Sequence, residues 1–363
     1  MQRPLINVHD HARAAQAALS PAAWAYFSGG AADELTLRRN DAAWEQWGLR
    51  PRVLQDLRAG HTRCQMLGKS WPMPLLVAPM AYQRWAHPDG ESGMALAAAA
   101  QSCGFVLSHQ TSTPLQDVAA WVAAEAMRGP LWFQLYWQAR RDDLCALVQA
   151  AESAGYEALV LTVDAPVQGV RDRERRHDLT LPAGVRAVHG ARASHEPVPG
   201  LCSGVLHRAP TWPDVHWLRQ QTRLPILLKG ITHPDDARQA LDAGVAGIVV
   251  SNHGGRVLDT VPATAELLPE IAKLVRNDYP QATLLVDGGI RRGTDLFKAL
   301  AMGAHAALIG RPAIYGLAHG GARGVAQVLR QLRDEFEMAL ALCGCPTPDA
   351  AHSGYLQKLS PLR

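Results

Sequence analysis

Eight short runs of aliphatic and β-branched residues recur along the chain, and helical stretches separate most of them. The runs are PLLVAPM (74–80), FVLSH (105–109), LWFQLY (131–136), ALVLTVD (158–164), PILLKG (225–230), GIVVSNHG (247–254), TLLVDGG (283–289) and AALIGR (306–311). Examples of the intervening stretches are ESGMALAAAAQSCG (91–104), DLCALVQAAESAG (143–155), DARQALDAG (236–244) and DLFKALAMG (295–303). Each ends in glycine, as a helix C-cap often does. Strands alternating with helices mean a parallel sheet, and eight of them predict closure into a barrel. The competitor is an open doubly wound sheet, but no G-x-G-x-x-G loop follows a strand here. The predicted fold class is therefore α/β, a (β/α)8 TIM barrel, with residues 1–363 forming a single domain. A length of 363 residues is ordinary for one such barrel.

Two parts fall outside the repeat. Residues 1–73 are expected to form an N-terminal cap of helices and a small strand region over the barrel bottom. Residues 170–212 form a long polar stretch after the fourth strand, expected to be an active-site lid loop. Its RDRERRHD start (171–178) is the one dense basic run. It reads as a solvated surface, except for Arg171 beside the strand end.

Several classes of function are disfavoured. A formal net charge of +3 with scattered basic residues gives no nucleic-acid footprint. No apolar run reaches the length of a membrane span, and the polar N-terminus MQRPLINVHDHARAAQ lacks the apolar core of a secretory signal. Cysteines 64, 103, 145, 202, 343 and 345 have no zinc-site spacing. They are expected to be reduced thiols in a cytoplasmic protein, with no metal site.

Chemistry in such barrels gathers at the C-terminal ends of the strands. Here those ends carry Pro79-Met80-Ala81, Ser108, Gln134 and Tyr136, Thr162 and Asp164, Lys229, His253 and Arg256, Asp287-Gly288-Gly289-Ile290-Arg291, and Gly310-Arg311. The last two sets follow strands seven and eight, where barrels often bind phosphate. Glycines let backbone N–H groups approach an anion, and arginine adds a bidentate charge. A phosphorylated cofactor filling the barrel mouth is the expectation. In SNHGGR (251–256), Gly254 and Gly255 would let His253 and Arg256 face one small molecule. A neutral imidazole takes a proton, and a guanidinium holds a carboxylate. Asp164 is a candidate to orient that imidazole.

These residues sit in longer matches. SNHGGRVLD (251–259), LPILLKG (224–230), LTVDAP (161–166), WFQLY (132–136), DGGIRRGTDLFKALAMGA (287–304) and IGRP (309–312) together resemble the FMN-dependent α-hydroxy acid oxidising family. That family includes glycolate, lactate and hydroxymandelate oxidases and the mandelate dehydrogenases. The resemblance extends from AYFSGGAADELTL (25–37) to RDEFEMALALCGC (333–345). It implies FMN as cofactor and a 2-hydroxy acid, carrying an (S) centre, as substrate. Oxygen or another acceptor, a quinone or a protein, would take the electrons. It also implies a homo-oligomer, a tetramer or octamer.

Residue by residue, the resemblance makes His253 the base and Asp164 its support. Arg256 and Arg171 would hold the substrate carboxylate. Tyr26 and Tyr136 would bond to the carboxylate and hydroxyl. Lys229 would lie by the flavin N1/O2 edge, and Ser108, Gln134 and Thr162 along the polar edge of the ring. Pro79, Met80 and Ala81 would pack near N5. Asp287 would bind the ribityl chain, and Gly289, Arg291, Gly310 and Arg311 the phosphate, with Ser251 and Gly288 also assigned to the cofactor.

Departures are few. SHQTST (108–113) stands where glycolate oxidase has a tryptophan, so His109 or Gln110 is expected to reshape the pocket. Val170 occupies the first of two positions where the family often has adjacent arginines. VAPMAYQRWAHPDGE (77–91) resembles hydroxymandelate oxidase, and both points favour an aromatic, mandelate-type substrate over lactate or glycolate.

Overall fold

The computed structural model describes residues 4–138, 140–177, 180–190, 206 and 209–360. Eight parallel strands close into a barrel: β1 Leu75–Val77, β2 Gly104–Leu107, β3 Leu131–Leu135, β4 Leu159–Thr162, β5 Ile226–Ile231, β6 Gly247–Val250, β7 Thr283–Asp287 and β8 Ala306–Ile309. Each pairs with its sequence neighbour, and β8 pairs with β1. The closed barrel excludes the open doubly wound alternative.

Side chains along the strands divide between two cores, as a period of two requires. Leu76, Val106, Trp132, Val160, Leu227, Val249, Leu285 and Leu308 fill the barrel interior. Leu75, Val77, Leu107, Phe133, Leu161, Ile248 and Val250 face the ring of helices. Both faces are therefore apolar, which is why the strands read as continuous hydrophobic runs.

Gly155, Gly244 and Gly303 have left-handed backbone just past their helices (φ 85°, 78° and 111°), as predicted. Gly104 does not. Ser102 takes the left-handed position (φ 58°) after the helix Gly90–Ala100, and Gly104 begins β2.

The expectation for residues 1–73 needs correction. A hairpin of Cys64–Met66 and Lys69–Trp71 does plug the barrel bottom, where Leu67 N–H donates to Thr283 Oγ1 at the start of β7 (3.1 Å). After the first helix, α1 (Val8–Ala18), the helices α2 (Pro21–Ser28) and α3 (Leu35–Glu45) instead belong to the opposite, C-terminal mouth. The Trp44 indole N–H donates to Gly288 O (2.8 Å), and the Asn40 and Asn252 amides exchange hydrogen bonds (2.9 and 2.8 Å). The Asp259 carboxylate accepts from the first N–H groups of α3, Leu35 (3.2 Å) and Thr36 (2.8 Å). A carboxylate there satisfies orphan donors and complements the helix dipole.

Of the expected lid, the described part begins with the short helix Asp172–Arg175. Further on, Val188 N–H donates to Thr111 O (3.0 Å), and His189 Nε2 accepts from Leu115 N–H (2.9 Å). The remaining lid positions, 178–179, 191–205 and 207–208, lie outside the described residues. Five cysteines are free thiols; Cys202 also lies outside the described residues. Among the described residues, no helix is long and apolar enough to cross a membrane.

Candidate active site

A cavity opens at the C-terminal ends of the strands. Sixteen of the twenty residues that the resemblance assigns to the site line it: Tyr26, Pro79, Met80, Ala81, Ser108, Tyr136, Arg171, Lys229, His253, Arg256, Asp287, Gly288, Gly289, Arg291, Gly310 and Arg311. Four stand behind the wall. Gln134 links two strand ends, accepting from Ser108 Oγ (3.2 Å) and donating to Thr162 Oγ1 (3.0 Å). Ser251 Oγ accepts from Lys229 Nζ (2.9 Å) and from His253 N–H (3.1 Å). Asp164 meets His253 from the side.

Three successive residues after β6 explain the His-Gly-Gly pattern. His253, Gly254 and Gly255 all have left-handed backbone (φ 57°, 61° and 73°). For the two glycines this costs little, but for His253 it stores strain of about 1–3 kcal/mol. A Cβ on Gly255 would also lie 2.7 Å from Leu37 N, so the turn lets α3 close over it. The turn places the His253 ring so that Nδ1 sits 2.9 Å from Asp164 Oδ1. With the carboxylate accepting from Nδ1–H, the Nε2 lone pair is the ring's basic position. Gly230 in β5 makes room for this carboxylate: a Cβ there would stand 2.4 Å from the Asp164 Cβ.

The electrostatics suit a base at rest. Burial lowers the His253 pKa, and Lys229 and Arg171 lower it further, against the raising effect of Asp164. The imidazole is therefore held neutral. Burial would raise the Asp164 carboxyl, but His253 and Lys229 outweigh it and hold the group below its ordinary value. Burial would lower the Lys229 pKa, yet Asp287 and Asp164 keep the ammonium charged. Its Nζ lies 3.2 Å from Asp287 Oδ2.

Two residues were placed differently by the sequence. RDRERRHD is not simply a solvated face: Glu174 is 3% exposed and Arg173 pairs with Glu34 and Ser28 Oγ. Glu174 joins both substrate-clamp candidates, accepting from Arg256 Nη2 (3.0 Å) and Arg171 Nη1 (3.3 Å). A charge run carries no mark of which member is buried, so only the adjacency to Arg171 hinted at it. His109 is not in the pocket either. It points away from the mouth, with Nδ1 accepting from Tyr136 N–H (3.2 Å) and Nε2 lying 3.3 Å from His189 O. Gln110 does line the cavity.

The other end of the cavity has open valences. Asp287 Oδ1 and Arg311 Nε are buried and have no partner among the described residues. An acceptor and a charged donor left unsatisfied in one cavity fit the hydroxyls and phosphate of a phosphorylated cofactor. Burial also lowers the Arg311 pKa, to about 10, as expected for a cation awaiting an anion. Gly310 leaves its surroundings open, with only Met80 Sδ near a would-be Cβ (3.5 Å).

A barrel whose mouth joins this anion cradle to a buried His–Asp pair and a charged lysine is built for proton transfer beside a phosphorylated cofactor. Comparison with known proteins makes the class specific. Residues 15–358 match the family described as FMN-dependent dehydrogenase, and the chain belongs to that family. Its cofactor is FMN, and the unsatisfied Asp287 and Arg311 atoms are suited to hold it. The chain is 46% identical over 349 residues to an L-lactate oxidase of Roseobacter sp. (strain GAI101), covering 94% of this chain and 92% of that one. It is 42% identical over 347 residues to a peroxisomal (S)-2-hydroxy-acid oxidase of Oryza sativa subsp. japonica, covering 94% and 92%. Among solved structures, mandelate oxidase with (S)-2-phenylpropionate superposes with a TM-score of 0.89 at 39% identity, covering 99% of this chain and 100% of that chain.

Proposed function

We propose that this protein oxidises an (S)-2-hydroxy acid to the 2-keto acid and passes the electrons to oxygen, giving hydrogen peroxide. The observation that carries the reading is the joint exposure of His253, Arg171, Arg256 and Lys229 to one cavity, with Asp164 bonded to the histidine. FMN, when bound, supplies a two-electron acceptor. Arg171 and Arg256 hold the substrate carboxylate. Tyr26 and Tyr136 hydrogen-bond the carboxylate and hydroxyl. His253 Nε2 takes the proton from the hydroxyl or the α-carbon, and Asp164 stabilises the imidazolium that results. Lys229 would place positive charge at the N1/O2 edge of the ring. Ser108 and the Gln134–Thr162 pair would meet its polar edge, and Pro79 to Ala81 would pack near N5. Gly289, Arg291, Gly310 and Arg311 would hold the phosphate, with Gly288 beside them. Ser251 acts through Lys229.

Two readings of the substrate side chain remain in play. Gln110, unbranched and flexible, lines the cavity where a tryptophan would fill it, which supports an aryl, mandelate-type acid. The second reading, a short aliphatic acid, is favoured by the identity to lactate oxidases. Oxygen as acceptor is supported by the oxidase names of the lactate and hydroxy-acid oxidase relatives. We also propose a cytoplasmic homo-oligomer, a tetramer or octamer, which light scattering would measure.

The test is anaerobic mixing of the FMN-loaded protein with mandelate, phenyllactate, lactate and glycolate, followed by admission of air. Bleaching of the flavin and recovery with peroxide release are expected. No bleaching by any of the acids would overturn the reading. A kcat/KM favouring lactate or glycolate would replace the aryl assignment with the aliphatic one.

A further inference from the structure

We infer that Glu174 sets the net charge of the carboxylate clamp and thereby selects monocarboxylates over dicarboxylates. The inference deepens the function proposed above and rests on its assignment of Arg171 and Arg256 as the clamp.

The geometry separates Glu174 from the ligand-facing wall. Arg171 and Arg256 line the cavity, but Glu174 does not. Its carboxylate lies behind them, bonded to Arg256 Nη2 at 3.0 Å and to Arg171 Nη1 at 3.3 and 3.4 Å. The two arginines are also tied to each other, since Arg171 Nε donates to Arg256 O (3.1 Å). Like charges held this close repel, and burial with little water sharpens the repulsion. Arg171 adds to the lowering of the Arg256 pKa that burial begins, and Glu174 opposes it.

Two guanidinium charges and one carboxylate leave a single positive charge, which one substrate carboxylate neutralises. A second carboxylate would enter a buried site with no counter-charge and incur a desolvation cost. The counter-charge is also fixed in place. Arg173, next in the chain, grips Ser28 Oγ and the Glu34 carboxylate on the cap, so the short helix that carries Glu174 is anchored on both sides. Glu174 is thus a positioning and charge-setting residue that touches neither substrate nor FMN.

The test uses equilibrium binding, read from perturbation of the flavin spectrum of the oxidised FMN holoenzyme at neutral pH. Acetate is the monoanion probe and oxalate the dianion probe. Glu174→Gln keeps the size and an acceptor oxygen but removes the charge, so the oxalate-to-acetate affinity ratio should rise about tenfold. Glu174→Asp should keep the ratio near the wild-type value. The double variant Arg171→Gln, Glu174→Gln has the wild-type charge count and should restore the ratio, which a merely structural role would not do. If Glu174→Gln fails to hold FMN, Arg171→Gln alone carries the test: its clamp is neutral and the ratio should fall below wild type. An unmoved ratio in either single variant, or equal changes for both anions, overturns the inference. Failure of every hydroxy acid to bleach the flavin would instead remove the oxidase reading, and the binding ratio would still decide this one.

Discussion

The two ends of the cavity match their buried charges to different degrees. At the clamp end the ionisable groups are matched within the chain: His253 with Asp164, and Arg256 and Arg171 with Glu174. At the phosphate end, Arg311 Nε and Asp287 Oδ1 have no partner among the described residues. Among the described residues, the clamp end leaves one carboxylate oxygen open, Asp164 Oδ2, while the phosphate end, where Asp287 meets Lys229 and Arg291 meets Asp41, still leaves a charged guanidinium donor open. The phosphate and hydroxyls of FMN would satisfy what folding leaves open there. Damage at the clamp end should therefore lower rate while the flavin stays, and damage at the phosphate end should lower flavin affinity and stability first.

The sharpest test of that division is His253→Ala. Loss of a general base typically costs about 10² to 10⁴ in rate. Flavin reduction should slow by that factor in stopped flow, with the bound flavin spectrum retained. Release of FMN from this variant would break the comparison, and a wild-type reduction rate would take His253 out of the mechanism.

Arg311→Ala should do the reverse. Removing a charge-assisted donor to phosphate costs about 1.5–3 kcal/mol, or roughly 10- to 100-fold in Kd for FMN. By linkage the thermal midpoint measured at fixed FMN should fall as well. Titration of the apoprotein with FMN checks both. Arg311 also donates to Gly254 O (2.9 Å) and Gly29 O (2.8 Å), so some loss should persist without FMN.

How much of this was legible in the sequence depends on which interactions carry it. The eight strands were readable because each is apolar on both faces, and their ends because an apolar run stops at a polar or glycine residue. The position of α2 and α3 over the mouth was not readable. It is set by Asn40 with Asn252, Trp44 with Gly288, and Asp259 with the start of α3, single polar contacts without periodicity. The side taken by His109 was not legible either: alternation along β2 reaches only to Ser108 on the cavity side, and His109 and Gln110 lie in a turn closed by Thr111 N–H to Ser108 O (3.1 Å). Glu174 could not be found from a run of eight charged or histidine side chains, because burial of one of them is decided by the two arginines that meet it.

His109 gives folding stability a pH dependence of its own. Burial pushes its pKa down to about 4, from an ordinary 6.5, while its neutral Nδ1 accepts from Tyr136 N–H. A folded-state pKa below the unfolded one means stability that is present above about pH 6.5. It is lost as pH falls toward 4, because only the unfolded chain takes up the proton easily. The loss should be of the order of 1–3 kcal/mol. His11 is lowered to about 4 as well, so the variant isolates the contribution. His109→Gln should show a smaller drop in urea midpoint between pH 7 and pH 4.5 than the wild type. Parallel pH curves for the two proteins would show that His109 carries none of the effect.

Arg256→Lys makes the smallest change and probes the clamp most finely. The Arg256 guanidinium serves four partners at once: its Nη1 donates to Tyr26 O and Gly29 O, its Nη2 to Glu174, and its face lies 5.1 Å from the Tyr26 ring centroid. A lysine keeps the charge but has a compact ammonium that cannot span this fork. The charge count of the clamp is then unchanged while its geometry is lost. The kcat/KM for a 2-hydroxy acid should fall about tenfold, mostly through KM, because the interaction lost is binding to a carboxylate already ionised in the ground state. A 2-hydroxy amide, which never offered a carboxylate, should discriminate less between variant and wild type. The flavin should stay bound, since Arg256 belongs to the clamp end. Equal losses on the acid and the amide would move Arg256 from holding the substrate to holding Tyr26 and the cap in place.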